Sequence, residues 1–234
     1  MVSSPDLELK EITTQVISCT RCPRLVDWRE QVSLDPPSRY KGQAYWAKPV
    51  PGWGDPSARL LIVGLAPAAH GGNRTGRIFT GDRSGDWLFR ALHKAGFANQ
   101  PQSTSRDDGL ELFDCYIAAA VRCAPPMNKP LTAERDNCLP FLVQELAALS
   151  RVKVIVALGG FAWNVVLKVI GPPSPRPRFG HGASVAVGGR TLIGSFHPSQ
   201  QNTFTGKLTE SAFDDIFSSV DRLLKPGLKG TEDG

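Results

Sequence analysis

Two rhythms of apolar residues run along this chain. Short unbroken apolar runs at 59–63, 114–121 and 153–159, each bounded by polar or turn residues, predict strands buried on both faces. A further run over 190–196 follows Gly188-Gly189 and, with Ser184–Val187 before it, predicts a hairpin. Between these runs the apolar residues fall at helical spacing. Leu9, Ile12, Val16 and Ile17 predict a helix over 7–18, and Leu208, Phe213, Ile216, Phe217, Val220 and Leu224 a terminal helix over 208–224. A helix over 84–96 takes Ser84 as its N-cap and stops at Gly96, and two more run from Thr132 to about Leu149 and from Phe161 to about Ile170. Residues 27–58 carry neither rhythm. They hold Trp28, Tyr40, Tyr45, Trp46, Trp53 and several prolines, and predict a long ordered loop whose aromatics are core lids or stacking platforms. Strand and helix otherwise alternate, which predicts an α/β fold: a three-layer α/β/α sandwich with a mainly parallel central sheet of about four strands. No low-complexity linker divides the 234 residues, so one domain is expected, with a disordered tail over 226–234.

Polar loops follow three of the strands and should converge at one end of the sheet, where open α/β folds bind ligands. The first, residues 64–82, has glycines at 64, 71, 72, 76 and 81, which let the backbone turn sharply and lie close to a ligand. It lacks the Lys-Ser/Thr end of a phosphate-binding P-loop, is no dinucleotide-binding G-x-G-x-x-G, and has no G-x-S-x-G to partner an esterase oxyanion loop. Phe79 can stack on a flat ligand or plug the core. Asp82 can position water or simply cap the following helix. The second loop supplies Arg122, Cys123, Asn128 and Lys129. The third begins at His197, which can serve catalysis or be a hydrogen-bonded structural histidine. His181, in a proline-rich loop, makes less claim to chemistry.

The net charge of +5 is compatible with a polyanionic partner without requiring one. No apolar run approaches the ~18 residues of a membrane span, and residues 1–6 do not read as a signal peptide, so a cytoplasmic protein is expected. In that compartment the five cysteines are better read as ligands or core residues than as disulfides. Cys19 and Cys22 form a C-x-x-C turn, and Cys123 and Cys138 complete a possible set of four thiolates for zinc or an iron–sulfur cluster; ordinary buried thiols are the alternative. Cys115, inside a strand, reads as packing.

Taken together, Gly64-Leu65-Ala66-Pro67-Ala68, His70-Gly71, Asn73-Arg74-Thr75-Gly76, Phe79-Thr80-Gly81-Asp82, Val121-Arg122-Cys123-Ala124-Pro125-Pro126 and His197-Pro198-Ser199 with Asn202 resemble the family 5 (type B) branch of the uracil-DNA glycosylase superfamily. The resemblance covers about residues 15–224. It implies excision of uracil, and of other deaminated bases such as hypoxanthine and xanthine, from DNA by a monomeric enzyme. It also implies a structural [4Fe–4S] cluster on Cys19, Cys22, Cys123 and Cys138. Leu65, Ala66, Ala68 and Ala69 are apolar where other branches carry a polar residue, and Ala119 stands where relatives place an asparagine. The resemblance therefore moves the chemistry to Asp82 and His197. Phe79, Asn128 and the backbone at Gly64 and Ala66 would bind the base. Arg74, Arg77, Arg122, Lys129, Asn202, Phe204 and Lys207 would grip or wedge the DNA. The rival readings are a non-catalytic nucleic-acid binder on the same fold and a zinc-stabilised hydrolase of small molecules.

Overall fold

The computed structural model describes residues 4–225; the tail expected over 226–234 lies outside them. Six strands form one sheet: β1 (Trp53–Gly54), β2 (Leu60–Gly64), β3 (Cys115–Ala119), β4 (Val154–Leu158), β5 (Ser184–Val187) and β6 (Arg190–Ser195), in the order β1-β3-β2-β4-β6-β5. The inner four are parallel, and β1 and β5 add antiparallel edges. The expected four-strand parallel core is present. The sheet is wider because a two-residue edge strand carries no readable pattern and the hairpin joins the same sheet.

Eight helices are described: α1 (Pro5–Ile17), α2 (Pro23–Leu34), α3 (Gly72–Thr75), α4 (Arg83–Lys94), α5 (Thr132–Ala148), α6 (Gly160–Ile170), α7 (Gln200–Phe204) and α8 (Glu210–Leu224). The alternation of strand side chains sorts the core into two layers. Leu60 and Ile62 of β2, Ile117 of β3 and Val156 of β4 pack with Leu88, Phe89, Phe213 and Phe217 of α4 and α8. Leu61, Val63, Tyr116 and Ile155 face the other way, onto Leu9, Val16, Phe141, Leu146 and Trp163 of α1, α5 and α6. Unbroken burial of β2, β3 and β4 follows from this double cover.

One expectation is corrected. The supposed loop over 27–58 begins as helix α2, with Pro23 in its first turn and Leu25, Arg29 and Val32 buried. Its few buried positions include an arginine, so its apolar stripe was too thin to show a helical period.

Adjacent strands β2 and β4 send their connections in opposite directions, β2 to β3 on one side and β4 to β6 on the other. That is a topological switch point, where a crevice opens at the carboxyl ends of the strands. The loops after β2 and β6 are the two that carry Asp82 and His197.

Candidate active site

The glycine loop is folded on itself by Arg74. Its Nε donates to the His70 carbonyl at 2.8 Å and its Nη2 to the Gly81 carbonyl at 3.0 Å. Gly64 ends β2 directly against Phe79: a Cβ there would lie 2.8 Å from Phe79 Cζ, so only glycine admits the ring. Phe79 has φ 56°, a left-handed conformation costly for a bulky residue and frequent at functional sites. Its ring stands 5.8 Å from that of His197, tilted by 33°. Asn202, expected at the DNA, instead donates from Nδ2 to the His197 carbonyl at 2.8 Å and so fixes the turn after β6. Burial lowers the His197 imidazole to about pKa 4, and it is neutral at physiological pH. His181 supports the same strand end: its Nδ1 accepts the Phe196 amide at 3.1 Å, and its Nε2 faces the Ala212 carbonyl at 3.2 Å.

Asp82 is the N-cap of α4, its Oδ1 accepting the Gly85 amide at 3.0 Å. Capping does not exclude chemistry, because Asp82 also lines a cleft of about 750 Å³. Burial raises its pKa, and Asp86 adds to the rise, while the Gly85 and Ser84 amides and Arg74 oppose it. Asn128 and Arg74 line the same cleft, whereas Phe79 and His197 do not; Phe79 is joined to it along the chain through Thr80 and Gly81. Asn128 and its neighbour Met127 both adopt positive φ, 55° and 54°, at the cleft rim, and Met127 is 79 % exposed. Two consecutive left-handed residues, one of them methionine, mark local strain in this loop at the cleft.

The set expected at the DNA divides. Lys129, Phe204 and Lys207 are exposed; the Arg83 guanidinium lies 4.6 Å over the Phe204 ring, and Lys207 Nζ 4.6 Å over Phe196. Arg77 and Arg122 are corrections. Arg77 is buried against Asp108 at 2.7 Å, with further bonds to Thr80, Ser103 and the Arg106 carbonyl. Arg122 is 1 % exposed and forms a two-pronged ion pair with Glu145. Neither guanidinium can reach a phosphate. Ala66 does not line the cleft and packs against the cluster of Leu25, Val121, Cys123 and Cys138.

The structure also adds residues to the cleft wall. Arg39 and Arg74 lie 4.7 and 4.4 Å from the centre of the Tyr40 ring, and His70 stacks on that ring at 5.9 Å. The Tyr45 hydroxyl meets His70 Nδ1 at 3.0 Å. Burial, then Arg39 and Arg74, push the His70 pKa down. Trp28, from α2, joins the wall. The tryptophans and tyrosines over 28–53 were the available signal; their neighbours in the fold were not.

All four proposed cysteine ligands border one small void, together with Arg122, Asn137 and Phe141. Cys22 is the N-cap of α2, Cys123 follows β3 and Cys138 lies in α5. Arg29 Nη1 donates to Cys123 Sγ at 3.2 Å and Asn137 Nδ2 to Cys22 Sγ at 3.4 Å. Burial pushes the Cys123 thiol up to about 12 and Cys138 to about 11. Among the described residues no three Cys, His, Asp or Glu side chains are grouped as a site for a single metal ion. The donor set nevertheless fits a thiolate-held group: four sulfurs around one void, N–H donors on two of them, and buried Nε atoms of Arg29 and Arg122 without partners beside them. Cys115 is buried apart, in the core.

A glycine loop at a sheet switch point, a half-buried carboxylate on a cleft and a neutral histidine held against an aromatic ring define an α/β protein with a cleft at the carboxyl end of its sheet. The chain belongs to the uracil-DNA glycosylase superfamily, whose family model matches residues 51–220. The resemblance to its type-5 branch is borne out. The chain is 53% identical over 216 residues to a Type-5 uracil-DNA glycosylase of Mycobacterium tuberculosis (strain CDC 1551 / Oshkosh), covering 91% of this chain and 81% of the relative. It is 52% identical to that of Mycobacterium leprae (strain TN), covering 95% and 99%, and 49% identical to that of Pyrobaculum aerophilum, covering 85% and 86%. No described helix is long and apolar enough to cross a membrane.

Proposed function

We propose that this chain is a monofunctional DNA glycosylase that hydrolyses the N-glycosidic bond of uracil in DNA and leaves an abasic site. The observation that carries this is the neutral His197 held against Phe79 at the carboxyl end of the sheet, in a chain about half identical to type-5 enzymes. A base must leave the duplex before an enzyme can act on it. Phe204, exposed on α7, supplies the wedge, and Lys129, Lys207 and the guanidiniums of Arg39 and Arg74 hold phosphates. Phe79 offers the base a flat face, and Asn128 with the backbone at Gly64 and Ala66 meets its edge. As the glycosidic bond breaks, negative charge develops on the base and positive charge on the sugar. His197 donates to the base oxygen from its neutral imidazole, and a donor placed on developing charge is worth about 3 kcal/mol. Asp82 orients the water or, as the carboxylate, stabilises the sugar cation.

The few side chains available to read the base support a wider range that includes hypoxanthine and xanthine; the proposed enzyme acts as a monomer in the cytoplasm. Cys19, Cys22, Cys123 and Cys138 would hold a [4Fe–4S] cluster, which supplies a structural cross-link between the start of α2, the loop after β3 and α5. Purified protein should then be brown, absorbing near ~400 nm; a colourless sample containing zinc would sink that assignment. The activity is tested with oligonucleotides each carrying one altered base, followed by alkaline cleavage. Breaks at uracil and none at normal bases are expected. Binding without breaks would favour the non-catalytic reading, and activity on free deoxyuridine alone the small-molecule hydrolase.

A further inference from the structure

Arg29, on the second turn of α2, joins two parts of the molecule. Its side chain is buried, its Nη1 donates to Cys123 Sγ at 3.2 Å, and its Nε has no partner among the described residues. Its backbone carbonyl accepts from Asn73 Nδ2 at 3.2 Å, and Asn73 is fully buried in α3 of the glycine loop. The ion pair it forms among the described residues is with Glu30, 4.0 Å away on the exposed side of α2.

A guanidinium removed from water needs a close anion, and a long contact with an exposed carboxylate is a poor one. A neutral thiol is only a weak acceptor. Four thiolates around an iron–sulfur core carry net negative charge, and that charge together with hydrogen bonds to sulfur tunes such a cluster. We propose that Arg29 is the buried counter-cation and hydrogen-bond donor of the cluster: it slows loss of iron, raises the cluster's reduction potential, and through Asn73 fastens the cysteine site to the glycine loop. The proposal rests on the cluster assignment above.

The test compares wild type with Arg29→Lys, Arg29→Gln and Arg29→Met. Iron per chain, bleaching near ~400 nm by a chelator and the midpoint potential are measured. Arg29→Gln and Arg29→Met should bleach several-fold faster than wild type and shift the potential to more negative values. Arg29→Lys, which keeps the charge, should stay closer to wild type in potential. Complete loss of iron from a variant whose circular dichroism is unchanged is the extreme of the same result. Iron-loaded Gln and Met variants with wild-type bleaching and potential would overturn the role of Arg29. Wild-type protein without iron would overturn the cluster assignment itself, and this proposal with it. Removing iron from wild type should also speed amide exchange over residues 71–76; unchanged exchange would overturn the link through Asn73.

Discussion

Arg77 and Arg122 lie behind the cleft, each facing a carboxylate distant in sequence, with Arg77 also over the Trp53 ring, whereas Arg39, Arg74 and Arg83 stand on its wall over aromatic rings with no carboxylate opposite. Among the described residues no carboxylate pairs with those three. The side chain is the same and the work differs. A buried guanidinium opposed by a carboxylate is a structural joint, and its charge is cancelled inside the protein. A guanidinium stacked on a ring with no carboxylate opposite keeps its charge for an incoming polyanion, while the ring restricts its motion; Arg74 also ties the glycine loop together through its bonds to the His70 and Gly81 carbonyls and to Gln43. Partners, not residue type, sort these arginines into those neutralised inside the protein and those left charged on the cleft.

The sharpest way to break this division is Glu145→Ala. It leaves the Arg122 charge buried and unpaired, and chemical denaturation should show a loss of about 3–5 kcal/mol. A loss below about 1 kcal/mol would mean that Arg122 reaches solvent and belongs with the cleft cations. Next in size, His197→Ala and Asp82→Asn should each lower single-turnover excision of uracil by about 10²–10³-fold while DNA binding survives. Full activity in either variant removes that residue from the mechanism.

A smaller effect is expected on the cleft wall. Tyr40→Ala should weaken DNA binding by about 1–3 kcal/mol if a base stacks there. Arg39→Gln should lower the slope of log affinity against log salt by about 1. Arg77→Gln serves as the contrast: it should lower the melting temperature, and a matching drop in the salt slope would erase the distinction drawn above. The last expected effect concerns pH and is confined to acid solution. The His197 imidazole is lowered from its ordinary 6.5 to about 4. Between those values the unfolded chain takes up a proton that the folded one refuses, so stability falls as pH drops through that window and is unaffected above it. His197→Asn should flatten this part of the melting profile; an unchanged profile would mean that the imidazole titrates normally in the fold.

Much of the architecture is local in origin, which is why it was readable. The apolar runs of β2, β3 and β4, the glycine stop after α4 and the spacing of α8 each lie within a few consecutive residues. The loops carrying Phe79, Asp82, Asn128 and His197 were legible for the same reason, since each directly follows a strand. Helix α2 was not, because its buried face includes Arg29, and an arginine is read as polar until its surroundings are known.

By itself, the sequence determined the order of the four parallel strands, the hairpin and helices α1, α4, α5, α6 and α8, the glycine loop with its terminal carboxylate, and the motif set that marks the superfamily. Only the tertiary structure decided which strands are neighbours, that Arg77 and Arg122 are joints, that Asn202 serves His197, and that Arg39, Tyr40 and His70 form a wall of the cleft. The physical reason is distance along the chain. Arg122 meets Glu145 and Arg29 meets Cys123 across intervals of 23 and 94 residues, and burial and charge pairing at such range exist only once the layers have packed.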